Sequence, residues 1–236
     1  MTRPSLPLLP SNAALLLDCD GTLLDLAATP SAVIVPDGLV AALRKIRDRL
    51  DGALAVITGR PIAQIDALLG GAPTAVAGEH GATIRFAPGA ATHEVALPVP
   101  PTAWIEHAAA VIESCPGALL ERKRRGFVLH YRLAPAAGPE LERAARALVA
   151  ADARFAVMPA SMAWEVKARG VDKGTAATAI MAVPPFAGRI PVFIGDDVTD
   201  EDGMAAARAM GGHGFRVADV FGDADGVRAW LATLAA

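Results

Sequence analysis

The sequence predicts an α/β protein: a doubly wound parallel-sheet (Rossmann-like) core interrupted by an inserted α+β domain. Three observations predict it. Short apolar runs closed by polar turns occur near both ends of the chain, and helical periodicity accompanies them. Between about residues 99 and 170 the rhythm changes to helix and hairpin, a pattern foreign to the flanking βαβ units. The expected division is a first core segment over 1–98, an inserted domain over 99–170 and a second core segment over 171–236.

Ala13 to Leu17 is an unbroken apolar run closed by Asp18-Cys19-Asp20-Gly21-Thr22, as in a strand buried on both faces. A helix follows, with Asp37 as the expected N-cap and Leu39, Ala42, Leu43, Ile46 and Leu50 at helical spacing. Ala53 to Ile57 is the second apolar strand and ends in Thr58-Gly59-Arg60. Pro61 suits a first helical position, ahead of a buried face of Ile62, Ile65, Leu68 and Leu69. Pro98, Pro100 and Pro101 mark a linker. In the insert, residues 102–114 read as a helix, and Leu119 to Lys123 with Phe127 to Arg132 as a hairpin around Arg124-Arg125-Gly126. A second helix starts at Pro139, and Phe155 to Met158 with Ala163 to Lys167 form a second hairpin. Past Val171, a helix over 173–182 leads to the strand Pro191 to Ile194, which ends in Gly195-Asp196-Asp197.

Charge and composition narrow the function. With 22 Lys+Arg against 25 Asp+Glu the net charge is −3, which argues against a partner held through nucleic-acid phosphates. The segment 101–170 holds 10 basic and 7 acidic residues and the remainder 12 and 18, so the core concentrates the carboxylates. No apolar run approaches a membrane span. Pro4, Pro7 and Pro10 break the N-terminal leucines, so no signal peptide is expected there. Cys19 and Cys115 fit neither a disulfide framework nor a zinc site. A cytoplasmic monomer is the expectation, since no heptad repeat or self-complementary stripe stands out.

Three strands end in chemically capable residues: Asp18/Asp20, Thr58-Gly59 and Asp196/Asp197. In open α/β sheets, ligands bind beyond the carboxyl ends of the strands, where the strand order reverses. Asp18 and Asp20 share a side at a strand end, and Gly21 permits the turn after them. Taken alone, such a pair could equally cap a turn. With Asp196 converging, the crowded carboxylates call for a cation, and hard oxygen ligands suit Mg²⁺. From Asp196 to Asp202, five of seven residues are acidic; the alternatives are a solvated loop or a metal-facing strand tip. Lys173 opens a helix, a position the helix dipole disfavours unless an anion is there to meet it. No G-x-S-x-G, H-E-x-x-H, P-loop or G-x-G-x-x-G pattern competes.

The order Asp18 to Thr22, Thr58, Lys173 and Gly195-Asp196-Asp197 with Asp200 resembles the four motifs of the haloacid dehalogenase (HAD) superfamily of phosphotransferases. The insert resembles that superfamily's C2-type cap. Within it, the chain resembles the trehalose-6-phosphate phosphatase family. That likeness rests on Gly78-Glu79-His80-Gly81, on Glu121-x-Lys123 running to His130-Tyr131-Arg132, on Trp164-Glu165-Val166 and on the acidic motif. Two departures are mild: Asp172 stands where Asn is frequent, and Thr58 where Ser is usual.

The resemblance implies a Mg²⁺-dependent phosphatase acting on a small-molecule sugar phosphate, trehalose 6-phosphate. Asp18 is its implied nucleophile and Asp20 its general acid and base. Mg²⁺ is implied at Asp18, the carbonyl of Asp20 and Asp196, with Asp197 and Asp200 orienting the metal's surroundings. Thr58, Lys173 and backbone groups at Gly21 and Gly59 are implied to hold phosphoryl oxygens. Glu79, His80, Glu121, Lys123 and Glu165 are implied to bind substrate. By spacing alone, Glu121 and Lys123 read as an ordinary ion pair between strand neighbours. Rival readings are another capped sugar-phosphate phosphatase and a non-catalytic receiver-like phosphosugar-binding module. Asp20 and the insert favour an enzyme, because a binder needs no acid for a leaving group.

Overall fold

The computed structural model describes residues 7–27, 29, 32–123 and 125–236. The N-terminal prolines and leucines up to Leu6, read above for a signal peptide, and Arg124 of the expected hairpin turn lie outside them. The chain divides into two compact units, one running to Val95 and resuming at Val171, the other Ala96–Gly170. The division before Ala96 falls three residues ahead of the boundary expected at 99.

The first unit begins with β1 (Ala13–Leu17), α1 (Leu39–Arg49), β2 (Leu54–Ile57), α2 (Ile62–Leu69), β3 (Ala75–Gly78), β4 (Thr83–Arg85) and β5 (His93–Glu94). In the second unit come α3 (Thr102–Glu113), β6 (Leu119–Lys123), β7 (Gly126–His130), α4 (Gly138–Val149), β8 (Phe155–Ala160) and β9 (Ala163–Ala168). The first unit then resumes with α5 (Lys173–Met181), β10 (Ile190–Gly195), α6 (Asp200–Ala209), β11 (His213–Arg216), α7 (Val217–Val220) and α8 (Ala224–Ala235).

The first unit's sheet has the order β11-β10-β1-β2-β3-β4-β5. Its first five strands are mutually parallel, while β4 and β5 fold back antiparallel. From β1 the chain builds outward through β2 and β3, then returns to β1's other side with β10 and β11, so the strand order reverses at β1. All five residues of β1 are inaccessible to solvent, although their side chains alternate between faces, so helices cover both faces. The helices associate as α1 with α8 and α5 with α6. Among the described residues no helix is long and apolar enough to cross a membrane.

The second unit is an antiparallel sheet, β6-β7-β9-β8, with α3 and α4 on one face. Phe127 and Leu129 alternate toward those helices and pack with Ala108, Leu141, Ala145 and Val166; Trp104, Ile105, Val111 and Ile112 line the same core. The Trp104 and Phe155 rings meet edge-on at 5.1 Å.

Several local expectations shift. Asp37 is not the N-cap of α1: Gly38, at φ 81°, holds that place and no side chain caps the helix. Glycine makes that left-handed step cheaply, which leaves Asp37 one residue outside. Pro61 is the N-cap of α2, because its extended ψ of 145° delays the first helical residue to Ile62. Gly126 is a strand residue paired with Lys123, so it belongs to β7 and not to the turn. The remaining predicted elements differ from the observed ones by one or two residues at their ends, where helices and strands fray.

Candidate active site

The carboxyl ends of β1, β2 and β10 and the first turn of α5 meet at the reversal in strand order. Asp18 follows β1 directly and is 4% exposed; Lys173, 3% exposed, opens α5. Asp172 caps that helix through a reciprocal pair: its Oδ1 accepts from the Thr175 N–H at 2.7 Å, and its own N–H donates to Thr175 Oγ1 at 3.0 Å. Its carboxylate is thereby committed to the cap, which is also the service an Asn provides there.

Lys173 Nζ donates to Asp18 Oδ1 at 2.7 Å and to Asp200 Oδ1 at 2.6 Å. Asp200 is fully buried, and its Oδ2 accepts the N–H groups of Asp196 (3.1 Å) and Asp197 (3.0 Å). Both of its oxygens are engaged, so Asp200 acts as a post that fixes the loop after β10 and aims Lys173. Asp197 turns back to accept the Val198 N–H at 2.7 Å, shaping that same loop. The acidic run thus resolves into separate tasks, with Glu201 near its far end paired to Arg216 on the surface.

Glycines admit the close approaches. A Cβ on Gly21, which sits at φ 77°, would lie 2.1 Å from Asp196 Oδ2, and one on Gly195 would lie 2.2 Å from Asp200 Cγ. Gly59 accommodates the His80 ring, which a Cβ there would meet at 2.8 Å. His80 belongs to a tight hook after β3 in which Glu79 (φ 50°), His80 (φ 57°) and Gly81 (φ 99°) are all left-handed. The hook is tied to the β2 tip: the His80 N–H donates to the Thr58 carbonyl at 2.9 Å, and the Glu79 N–H to the Arg60 carbonyl at 3.1 Å. Such strain collects at functional sites.

Oxygens of Asp18, Asp196 and Asp200 lie within 4.8 Å of one another. Burial, with Asp200 and Asp196 adding to it against Lys173, pushes the Asp18 carboxyl well above its usual range. Burial, then Asp200 and Asp197, push Asp196 up to about 6. Burial by itself pulls the Lys173 ammonium down, but Asp18 and Asp200 outweigh it and hold Lys173 above its ordinary value. Three carboxylates with one ammonium leave a surplus of negative charge, which a proton relieves poorly and a divalent cation relieves well. The donor set therefore fits a hard cation. Asp18 and Asp196 are its natural ligands, since the Asp200 oxygens are already spoken for.

Asp20 lies outside that cluster. Its carboxylate is gripped by Arg60, with Nε to Oδ2 at 2.6 Å and Nη2 to Oδ1 at 2.7 Å. Gln64 receives Arg60 Nη1 at 3.1 Å and steadies the fork. Sequence reasoning missed Arg60; its one signal was adjacency to the Thr58-Gly59 strand tip. The Thr58 hydroxyl accepts the Arg60 N–H at 3.2 Å and so sits at the same tip. Of the expected residues, the first unit brings together Asp18, Asp20, Gly21, Thr58, Gly59, Glu79, His80, Lys173, Asp196, Asp197 and Asp200. Glu121, Lys123 and Glu165 belong to the second unit, where Lys123 Nζ donates to Glu165 Oε1 at 2.7 Å.

The trehalose-phosphatase family model matches residues 16–226. A trehalose-6-phosphate phosphatase of Escherichia coli (strain K12) is 39% identical over 220 residues, 92% of this chain and 82% of that protein. A probable trehalose-phosphate phosphatase of Sinorhizobium fredii is 41% identical over 207 residues, 87% of this chain and 78% of its own length. Among solved structures, the C-terminal domain of C. albicans trehalose-6-phosphate phosphatase superposes with a TM-score of 0.80 at 22% identity, covering 95% of this chain and 92% of that one. A haloacid dehalogenase-like hydrolase from Bacteroides thetaiotaomicron reaches 0.64 at 12% identity, over 95% and 100% of the two chains. The structural likenesses show a shared fold, and the sequence matches go further: the chain belongs to the trehalose-phosphatase family.

Proposed function

We infer that the protein is a phosphoric monoester hydrolase that converts trehalose 6-phosphate to trehalose and phosphate through a phosphoaspartate on Asp18. One observation carries the chemistry: a buried carboxylate, Asp18, bonded to a buried cation, Lys173, at the reversal of strand order. Mg²⁺ held by Asp18, Asp196 and the carbonyl of Asp20 would supply positive charge against the phosphoryl oxygens. Lys173 and the Thr58 hydroxyl orient the remaining oxygens, so catalysis is chiefly positioning and electrostatics.

An Asp18 oxygen forms a bond to phosphorus as the bond to the sugar oxygen breaks, and Asp20 delivers its proton to that oxygen. Asp20 then takes a proton from water, whose oxygen attacks phosphorus and expels the Asp18 carboxylate. Arg60 fixes the direction of the Asp20 carboxylate for both transfers. Recognition of the sugar falls to Glu121, Lys123 and Glu165, whose charged groups exchange hydrogen bonds with hydroxyls. We read the enzyme as a cytoplasmic monomer.

The test is phosphate release from a panel of sugar phosphates, with and without Mg²⁺, on wild type and Asp18→Asn. Preference for trehalose 6-phosphate, abolished by EDTA and by the substitution, is the expected result. Mg²⁺-dependent preference for another sugar phosphate would overturn the substrate, and turnover by Asp18→Asn would overturn the nucleophile.

A further inference from the structure

The second unit's sheet has an apolar face under α3 and α4 and an opposite, polar face. Register fixes which residues share it. Glu121 on β6, Val128 on β7 and Glu165 on β9 are direct partners in one row. Lys123 and His130 stand two residues along their strands from that row and therefore point the same way. Two strand spacings put about 10 Å between the Glu121 and Glu165 backbones, a span comparable with two joined sugar rings. Val128, 4% exposed, forms the aliphatic floor between them.

Each of these carboxylates is bonded to a nitrogen. Glu165 Oε1 accepts from Lys123, and Glu121 Oε2 lies 2.8 Å from His130 Nε2. An ionised carboxylate can only accept, so His130 Nε2 must carry the proton in this contact. The hydrogen bond from His130, then the nearby Lys123, hold the Glu121 carboxyl below its usual range against the opposing effect of burial. Among the described residues Glu121 makes no other side-chain hydrogen bond, so Oε1 remains to accept one.

We propose that His130 is a positioning residue for sugar recognition: it clamps Oε2 of Glu121 and thereby presents Oε1, in a fixed direction, to a hydroxyl of the leaving sugar. The proposal rests on the reading of this chain as a sugar-phosphate phosphatase whose second unit recognises the sugar. A glutamate side chain has three rotatable bonds, and ordering it on binding costs affinity. His130 orders it beforehand, so its loss weakens sugar binding without touching the phosphoryl chemistry.

The experiment measures kcat and KM for trehalose 6-phosphate and for p-nitrophenyl phosphate, whose leaving group has no hydroxyl to recognise before departure. The variants are His130→Ala, His130→Asn, His130→Gln, Glu121→Gln and the His130→Ala/Glu121→Gln pair. Loss of a hydrogen bond to a charged group predicts a KM for the sugar phosphate raised about tenfold in His130→Ala. Its kcat should stay near wild type, and its KM for p-nitrophenyl phosphate should not move. His130→Gln can place an amide N–H where Nε2 stood and should restore most of the loss. The paired variant should be no worse than Glu121→Gln. His130→Asn, too short to reach Oε2, should repeat the Ala result and replaces it if His130→Ala does not fold. An unchanged sugar-phosphate KM, an equal rise for both substrates, or additive effects in the pair would each overturn the proposal. If wild type prefers a different sugar phosphate, the trehalose reading falls, and the same comparison on that sugar decides the role of His130.

Discussion

Arg60→Ala removes the fork that holds Asp20. The two N–H···O contacts are short, at 2.6 and 2.7 Å, and the Arg60 side chain is 10% exposed, so they are charge-assisted and largely shielded. Bonds of this kind contribute about 1.5–3 kcal/mol each. Asp20 is 30% exposed, and water replaces part of what is lost, so about 2 kcal/mol of positioning is the reasonable figure for the pair. If that positioning is expressed in the transition state, kcat for a sugar phosphate falls about 30-fold. KM should change little, because Arg60 is committed to Asp20 and Gln64. A second readout separates the two half-reactions. p-Nitrophenolate leaves without a proton, so the first step survives in the variant, while water attack still needs Asp20 as base. Rapid mixing with p-nitrophenyl phosphate should therefore show a burst of one p-nitrophenolate per enzyme, followed by slow turnover. Arg60→Lys keeps the charge but not the fork and should fall between. A folded Arg60→Ala with kcat within twofold of wild type, or with its loss confined to KM, would mean that the fork does not position Asp20 for the reaction.

Gly21→Ala should abolish metal-dependent activity, because its Cβ would lie 2.1 Å from Asp196 Oδ2 at φ 77°; calorimetric titration of Mg²⁺ checks it. The metal-free protein should lose stability relative to Asp196→Asn as pH rises. Asp196 titrates near 6 when folded against 3.8 unfolded, so the stabilisation it provides while protonated is full below about 4 and lost through about 6. Saturating Mg²⁺ should flatten that difference, as melts at several pH values will show. Phe127→Ala empties the centre of the second unit's core, where Phe127 is fully buried, and should cost about 3–5 kcal/mol. Urea unfolding followed by tryptophan fluorescence should show an early transition from Trp104 and Trp164, which lie in that unit, before the signal of Trp230 in the first.

The three strands that carry the site were legible because each is an unbroken apolar run, the mark of burial on both faces: Ala13–Leu17, Leu54–Ile57 and Ile190–Gly195. β3 escaped the pattern, since Ala-Val-Ala-Gly has one β-branched residue and its small side chains suit a helix equally. β11, His-Gly-Phe-Arg at the sheet's edge, has too little apolar surface to announce itself. At the site, Asp18 and Asp196 could be read from strand-end position and charge crowding, and Lys173 from its place at a helix start. Arg60 could not: one arginine after a strand tip looks like any solvated cation until the fold brings it to Asp20, 40 positions away. Asp200 and Asp197 were singled out from the run of acids by the resemblance alone, because only backbone geometry separates a buried post from a loop cap.

The proposed chemistry turns on a covalent phosphoryl group on Asp18. Rapid quench of wild type turning over trehalose 6-phosphate, reduction of the acyl phosphate with borohydride and peptide mass spectrometry test it directly. Reductive conversion at Asp18, dependent on substrate and on Mg²⁺, is the expected result. Turnover with the modification on another residue, or with none at any quench time in Arg60→Ala given p-nitrophenyl phosphate, where the intermediate should accumulate, would contradict it.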